Sequence, residues 1–338
     1  MLTVLPICLL RALIIAGHDG GTNMIIARIH SIAFATALSL LTSTAMAADP
    51  EACRTVRMAD GGWTDNVAQN GVVKVLLEPL GYQVTTSLLA APVIYASLKN
   101  KDVDIFLNSW SPSVDSMVKP YLDEGSVVRL ADTMTGAKWT LAVPRYVYDA
   151  GLRNFADIKT YKEKLGNKIY GIEPGNDGNQ AILNLLKDER FGLKDFDLVE
   201  SSEQAMISEV ARKALTKDWI VFMGWAPHPM NVKFDMAYLD GGDDFFGPDQ
   251  GGATIWTATR AGYAEDCPNL GEFFRGLKFT VAMESQMMGY ILDDGLEGPE
   301  AAAKYIKEHP ETIDAWMKGV VSMDGKEAAP IVKAAIFK

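Results

Sequence analysis

Of the seven tryptophans in this chain, four stand where a strand-like run stops or starts. Met58-Ala-Asp-Gly-Gly-Trp-Thr-Asp65 presents Trp63 and then Asp65 just beyond an apolar run, Arg54 to Ala59, that two glycines end. The pattern returns at Ile105-Phe-Leu-Asn-Ser-Trp110 and at Ile220-Val-Phe-Met-Gly-Trp225, and Trp139 opens the run Trp139-Thr-Leu-Ala-Val143. Open α/β sheets hold ligands beyond the carboxyl ends of their strands. Indole faces converging there make an aromatic cage, which suits a quaternary ammonium group. A lone tryptophan at a strand end is more often packing than recognition; the weight lies in the repetition. Trp219, Trp256 and Trp316 fall inside strand or helix patterns and read as core.

Two polar residues share this placement. Asp65 lies two residues after Trp63, and Asn176 falls between the strand Lys168 to Ile172 and a helix from Asn179. Each alone reads first as a helix cap. With the tryptophans, they suggest a pocket that grips a cationic head with rings and a hydroxyl with Asp65 and Asn176.

Other chemistries find little support. His18 and His30 precede the mature chain, while His228, between prolines, and His309, before one, read as surface or loop residues and make no zinc site. No nucleophile elbow, P-loop or dinucleotide fingerprint occurs. Gly171-Ile-Glu-Pro-Gly-Asn-Asp-Gly178 lacks the lysine of a phosphate loop, and Asp240-Gly-Gly-Asp-Asp244 lacks calcium-loop spacing and reads as a hinge turn. No cofactor is implied, and the chain reads as a binding protein rather than an enzyme.

The elements that must position these residues alternate. Strands at 54–59, 82–87 and 103–107 enclose helical runs at 67–80 and 93–98, a series that implies a parallel sheet. A strand at 127–131 leads into a turn-rich passage, 132–138, and the series restarts with strands at 139–143, 168–172, 196–199 and 219–224 and helices at 179–187 and 203–215. We expect an α/β fold of two lobes: 48–134 plus 244–338 as one, 135–243 as the other. Each has a parallel-rich sheet, and the chain crosses a hinge near 132–138 and 238–246.

Met24 to Leu41 reads as a signal peptide with Ala45-Met46-Ala47 as its cleavage site, Met24 being the true start. Residues 1–47 are then removed and the protein is soluble and periplasmic. Cys8 goes with them, which leaves Cys53 and Cys267 to form a disulfide in an oxidising compartment, the alternative being two separate buried thiols. Net charge is −11, and removing Arg11, Arg28 and Asp19 makes it −12. That balance argues against nucleic acid and anionic membranes as partners.

Gly62-Trp-Thr-Asp65, Asn108-Ser-Trp110, Gly175-Asn176, Gly224-Trp-Ala-Pro227 and Tyr238-Leu-Asp-Gly-Gly-Asp-Asp-Phe-Phe-Gly247, with the cysteine pair, resemble the choline and glycine betaine substrate-binding proteins of ABC transporters. The resemblance covers residues 53–338. It implies a type II periplasmic binding protein fold with the ligand cleft at the hinge. Trp63, Trp110, Trp139 and Trp225 would form the aromatic box and Asp65 and Asn176 the polar contacts. The chain would act as a monomer and deliver its ligand to a membrane-embedded permease. It departs from the choline-binding pattern at Trp139, where that pattern has a tyrosine. Asp65 favours choline, with acetylcholine and betaine weaker, since a betaine carboxylate would face a like charge. A glycine betaine, proline betaine or carnitine receptor is the alternative within transport. An exported choline-ester or phosphocholine hydrolase is the alternative outside it.

Overall fold

The computed structural model describes residues 48–338. Residues 1–47, read above as a signal peptide with its cleavage site, lie outside the described residues. Nine strands form one sheet in the order β2-β1-β3-β9-β4-β7-β5-β6, with β8 beside β4. These are β1 (Thr55–Asp60), β2 (Gln83–Leu88), β3 (Ile105–Ser111), β4 (Val127–Pro144), β5 (Lys168–Tyr170), β6 (Asp197–Val199), β7 (Phe222–Ala226), β8 (Met236–Tyr238) and β9 (Gly252–Arg260).

The two ends of the sheet are parallel: β1 with β2 and β3, and β5 with β6 and β7. Parallel neighbours need crossovers. Helices α1 (Thr64–Leu77) and α2 (Ala91–Asn100) make them at one end, and α3 (Asp177–Lys187) and α4 (Glu203–Thr216) at the other. This is the expected two-lobed α/β fold. The sheets of the two lobes are continuous, however, because β4 and β9 pair antiparallel through the middle and carry the ladder from one end to the other.

The passage 132–138, expected as a turn, lies inside β4, which runs 18 residues. Its register against β9 shifts between Arg129 and Ala131, between Asp132 and Met134, and between Thr135 and Ala137. Each irregularity leaves a residue unpaired and bends the strand. A polar, glycine-bearing stretch is tolerated there, which is why it resembles a turn when read from sequence alone.

Helix α1 is buried on nearly every side, packed over the β1–β3 end beneath α5 (Val281–Leu292) and α6 (Gly298–Glu308). A helix so enclosed is expected to be apolar, yet its buried residues include Asp65, Asn66, Gln69 and Asn70. Those polar groups mark the site. The disulfide Cys53–Cys267 forms, with 5.8 Å between Cα atoms, and ties the start of β1 to the segment 214 residues later. Trp256 and Trp316 are core, as expected, whereas Trp219 is only half-buried, its ring tilted at 40° against Tyr161 with centroids 4.8 Å apart, beneath the Lys164 ammonium.

The approach of α1 to α6 depends on two glycines. A Cβ on Gly71 would stand 2.3 Å from the Gly298 carbonyl oxygen, and one on Gly298 would stand 2.5 Å from that of Val67. Backbone on backbone leaves no flexible atom to yield. Gly71→Ala is therefore expected to destabilise by about 1–3 kcal/mol, read as a lower urea midpoint with an unchanged slope. An unshifted midpoint would show that the helices separate freely.

Candidate functional site

One cavity, about 70 Å³, lies between the lobes, and all six residues singled out from the sequence line it: Trp63, Asp65, Trp110, Trp139, Asn176 and Trp225. It has room for a few waters or one small molecule.

Strand periodicity explains how the rings arrive. Phe106, Asn108 and Trp110 alternate along β3 and all three line the cavity, as do Met223 and Trp225 on β7. In the antiparallel β4–β7 pair, Trp139 sits directly opposite Trp225, which puts both indoles on one face. Trp256 pairs instead with Ser109, the residue whose side chain points away from that face, and so belongs to the core. Trp63 comes from the turn into α1, and Asn176 from the turn into α3.

Asp65 is 2% exposed. Its Oδ1 accepts the Asn66 amide at 2.8 Å and its Oδ2 accepts Asn108 Nδ2 at 2.9 Å. Burial pushes its carboxyl up to about 7, with the Glu203 charge adding to the rise and the Asn108 hydrogen bond opposing it. Asn108 is the hub of a relay. Its Nδ2 also reaches Gln69 Oε1 at 3.2 Å, and its Oδ1 accepts the Trp110 indole N–H at 2.9 Å. Gln69 donates in turn to Glu284 Oε1 at 2.7 Å. Glu284 is fully buried, its other oxygen has no partner among the described residues, and burial raises it well above the ordinary carboxylate range. The relay holds one carboxylate and one indole of the cavity in place from behind.

Asn176 caps a helix and also lines the cavity. Its Oδ1 caps α3 through the Gly178 amide at 2.7 Å, and its Nδ2 donates to Glu173 Oε1 at 3.0 Å. The same Glu173 oxygen accepts the Trp63 indole N–H at 2.8 Å, joining the lobes. Burial raises both Glu173 and the cavity-lining Asp177. The Trp139 indole N–H has no partner among the described residues.

Sequence reasoning missed Glu173, Glu203 and Glu284, each a carboxylate with a partner far away along the chain. It also placed His228 on the surface. His228 is in fact 2% exposed, with Nε2 3.0 Å from Glu203 Oε1 and its ring edge-on to Trp225 at 4.9 Å. The flanking prolines made it look like a loop residue, and the loop is an interior one. His309 stays half-exposed, stacked on Tyr305 and 3.6 Å from Glu311.

Residues 54–308 match the family described as the substrate-binding domain of ABC-type glycine betaine transport systems. The chain belongs to that family. Its members in the comparisons are transport proteins. The glycine betaine/carnitine transport binding protein GbuC of Listeria monocytogenes is 31% identical over 211 residues, 62% of this chain and 65% of that protein. A solved ABC-transporter choline-binding protein in complex with choline is 46% identical with a TM-score of 0.83, covering 85% of this chain and all of that one. Lactococcal OpuAC, closed around glycine betaine, is 26% identical with a TM-score of 0.71, covering 78% of this chain and 100% of its own. Among the described residues, no helix is long and apolar enough to cross a membrane.

The carboxylate at the centre makes the protein sensitive to pH. A carboxyl raised from an unfolded value of about 3.9 binds its proton more tightly when folded. Its contribution to stability is therefore complete below about pH 4 and is lost as pH rises through about 7. In urea titrations without ligand, the wild-type protein is expected to lose more stability between pH 5 and pH 8 than Asp65→Asn does. Equal losses would mean that Asp65 does not titrate in this window.

Proposed function

We propose that this chain is the periplasmic, monomeric receptor of an ABC importer and captures choline in an aromatic cage between its lobes. The observation that carries the reading is the convergence of Trp63, Trp110, Trp139 and Trp225 on one cavity whose charged lining residues are Asp65 and Asp177, with no lysine or arginine. A trimethylammonium group has no hydrogen to donate, so polar side chains cannot repay its dehydration. Ring faces can, at up to about 2 kcal/mol each when dry. Four rings give about 8 kcal/mol gross, the scale of micromolar binding before ordering costs.

Asp65 has lone pairs left for the choline hydroxyl, and Asn176 an amide hydrogen. Glycine betaine puts a carboxylate where choline has that hydroxyl, and this cavity holds no cation to meet it. Acetylcholine keeps the ammonium head but lacks the hydroxyl hydrogen. Choline should therefore bind best, acetylcholine less well and betaine least. The family's description and the GbuC relative favour the second reading, a betaine or carnitine receptor. A choline-ester hydrolase would need a nucleophile beside a base, and choline released from an ester by the purified protein would establish that reading instead.

Calorimetric titration of the mature chain with choline, acetylcholine, carnitine and glycine betaine tests the order. Betaine binding more tightly than choline would overturn it. Trp110→Ala is expected to weaken choline at least tenfold while far-UV circular dichroism stays the same, and near-unchanged affinity would remove Trp110 from the cage.

A further inference from the structure

Helix α1 begins at the site, with Trp63 and Asp65 on either side of its first residue, Thr64. The first amides of a helix have no partner within it and need an outside acceptor. The N-cap position is held by Trp63, whose side chain makes no capping hydrogen bond. The acceptor arrives from the other lobe. Glu203, the first residue of α4, accepts the Thr64 amide on Oε2 at 2.9 Å, between residues 139 positions apart.

The other Glu203 oxygen is held as well. His228 Nδ1 accepts the Met230 amide at 2.9 Å, so the ring hydrogen must sit on Nε2, which donates to Glu203 Oε1 at 3.0 Å. Thr64, Glu203 and His228 are 3%, 2% and 2% exposed. In this dry contact a carboxylate meets the positive end of a helix. Opening the cleft pulls Thr64 and Glu203 apart and returns both to water.

We infer that Glu203, oriented by His228, is a positioning residue that clasps the lobes shut by capping α1 across the cleft, and so sets how long a bound cation stays. Glu203 is not among the residues lining the cavity, so it acts through closure rather than by touching the ligand. This differs from the Trp63–Glu173 bond, whose loss would also disturb a proposed ring of the cage. The clasp has a chemical signature. Two donors, the Thr64 amide and His228 Nε2–H, face two carboxylate oxygens, and a glutamine in that place offers only one acceptor. Glu203→Gln must lose one bond, and Glu203→Asp is one methylene too short to hold both.

The consequence for residence time rests on the proposed choline reading; the closure itself does not. Two measurements on the mature chain therefore separate them. Stopped-flow tryptophan fluorescence with choline should show dissociation about tenfold faster in both variants, with association within about twofold of wild type. Without ligand, spin labels on Val93→Cys and Leu215→Cys, exposed positions on α2 and α4, should report a more open cleft in both variants. Unchanged dissociation together with unchanged label distances would overturn the clasp. If wild type binds no choline, the choline reading fails, and the label distances alone decide whether Glu203 closes the cleft.

Discussion

Negative charge without a counter-charge is the constraint around which this protein is organised. Asp65, Asp177, Glu173, Glu203 and Glu284 gather in or behind one cavity whose lining carries no basic side chain. Buried carboxylates must be protonated, hydrogen-bonded or paired with a cation. The first two solutions have support here, and the third is what the proposed ligand would supply. Burial raises Glu284 well above the ordinary carboxylate range at the far end of the amide relay, Glu203 takes two donors, and Asp65, raised to about 7, lines the cavity. On the proposed function, a small cation in that cavity would relieve repulsion among these groups. On that proposal, the same charges would make closing the lobes and admitting a cation reinforce each other.

Three of the four cavity indoles follow from sheet geometry rather than from loop design, and Trp63 alone comes from a turn. Register opposes Trp139 to Trp225, and a two-residue period carries Phe106, Asn108 and Trp110 to one face. Shifting a strand by one residue would exchange Trp110 for Ser109 at the cavity and send the indole into the core. Rings on strands lose little freedom on binding, so most of their attraction remains available to a ligand.

Much of this was legible in the sequence because it is local. The glycines before Trp63, the alternation around Trp110 and the run ending at Trp225 are signals within a few residues, and the helices and strands followed from periodicity. What escaped notice depends on distance along the chain. Glu203 reads as an ordinary first-turn acid of a helix until Thr64 is set against it. His228 reads as a loop residue between prolines, because nothing nearby says that the loop is buried. The stretch 132–138 has the composition of a turn and is a bulged strand, since pairing with β9, more than a hundred residues later, overrides local preference. Asn176 reads as a helix cap in the sequence and is one, while its amide nitrogen is hydrogen-bonded to Glu173 and the residue lies on the cavity wall.

The lobe carrying β1–β3 is assembled from both ends of the polypeptide: β9 completes its sheet, α5 and α6 cover α1, and Cys267 reaches back to Cys53. A nascent chain emerging amino end first therefore displays the apolar faces of β1 and α1 until the final third arrives, whereas β5–β7 and their crossovers are contiguous and can collapse earlier. Biogenesis thus begins with a vulnerable interval in which the half-built lobe is sticky and incomplete.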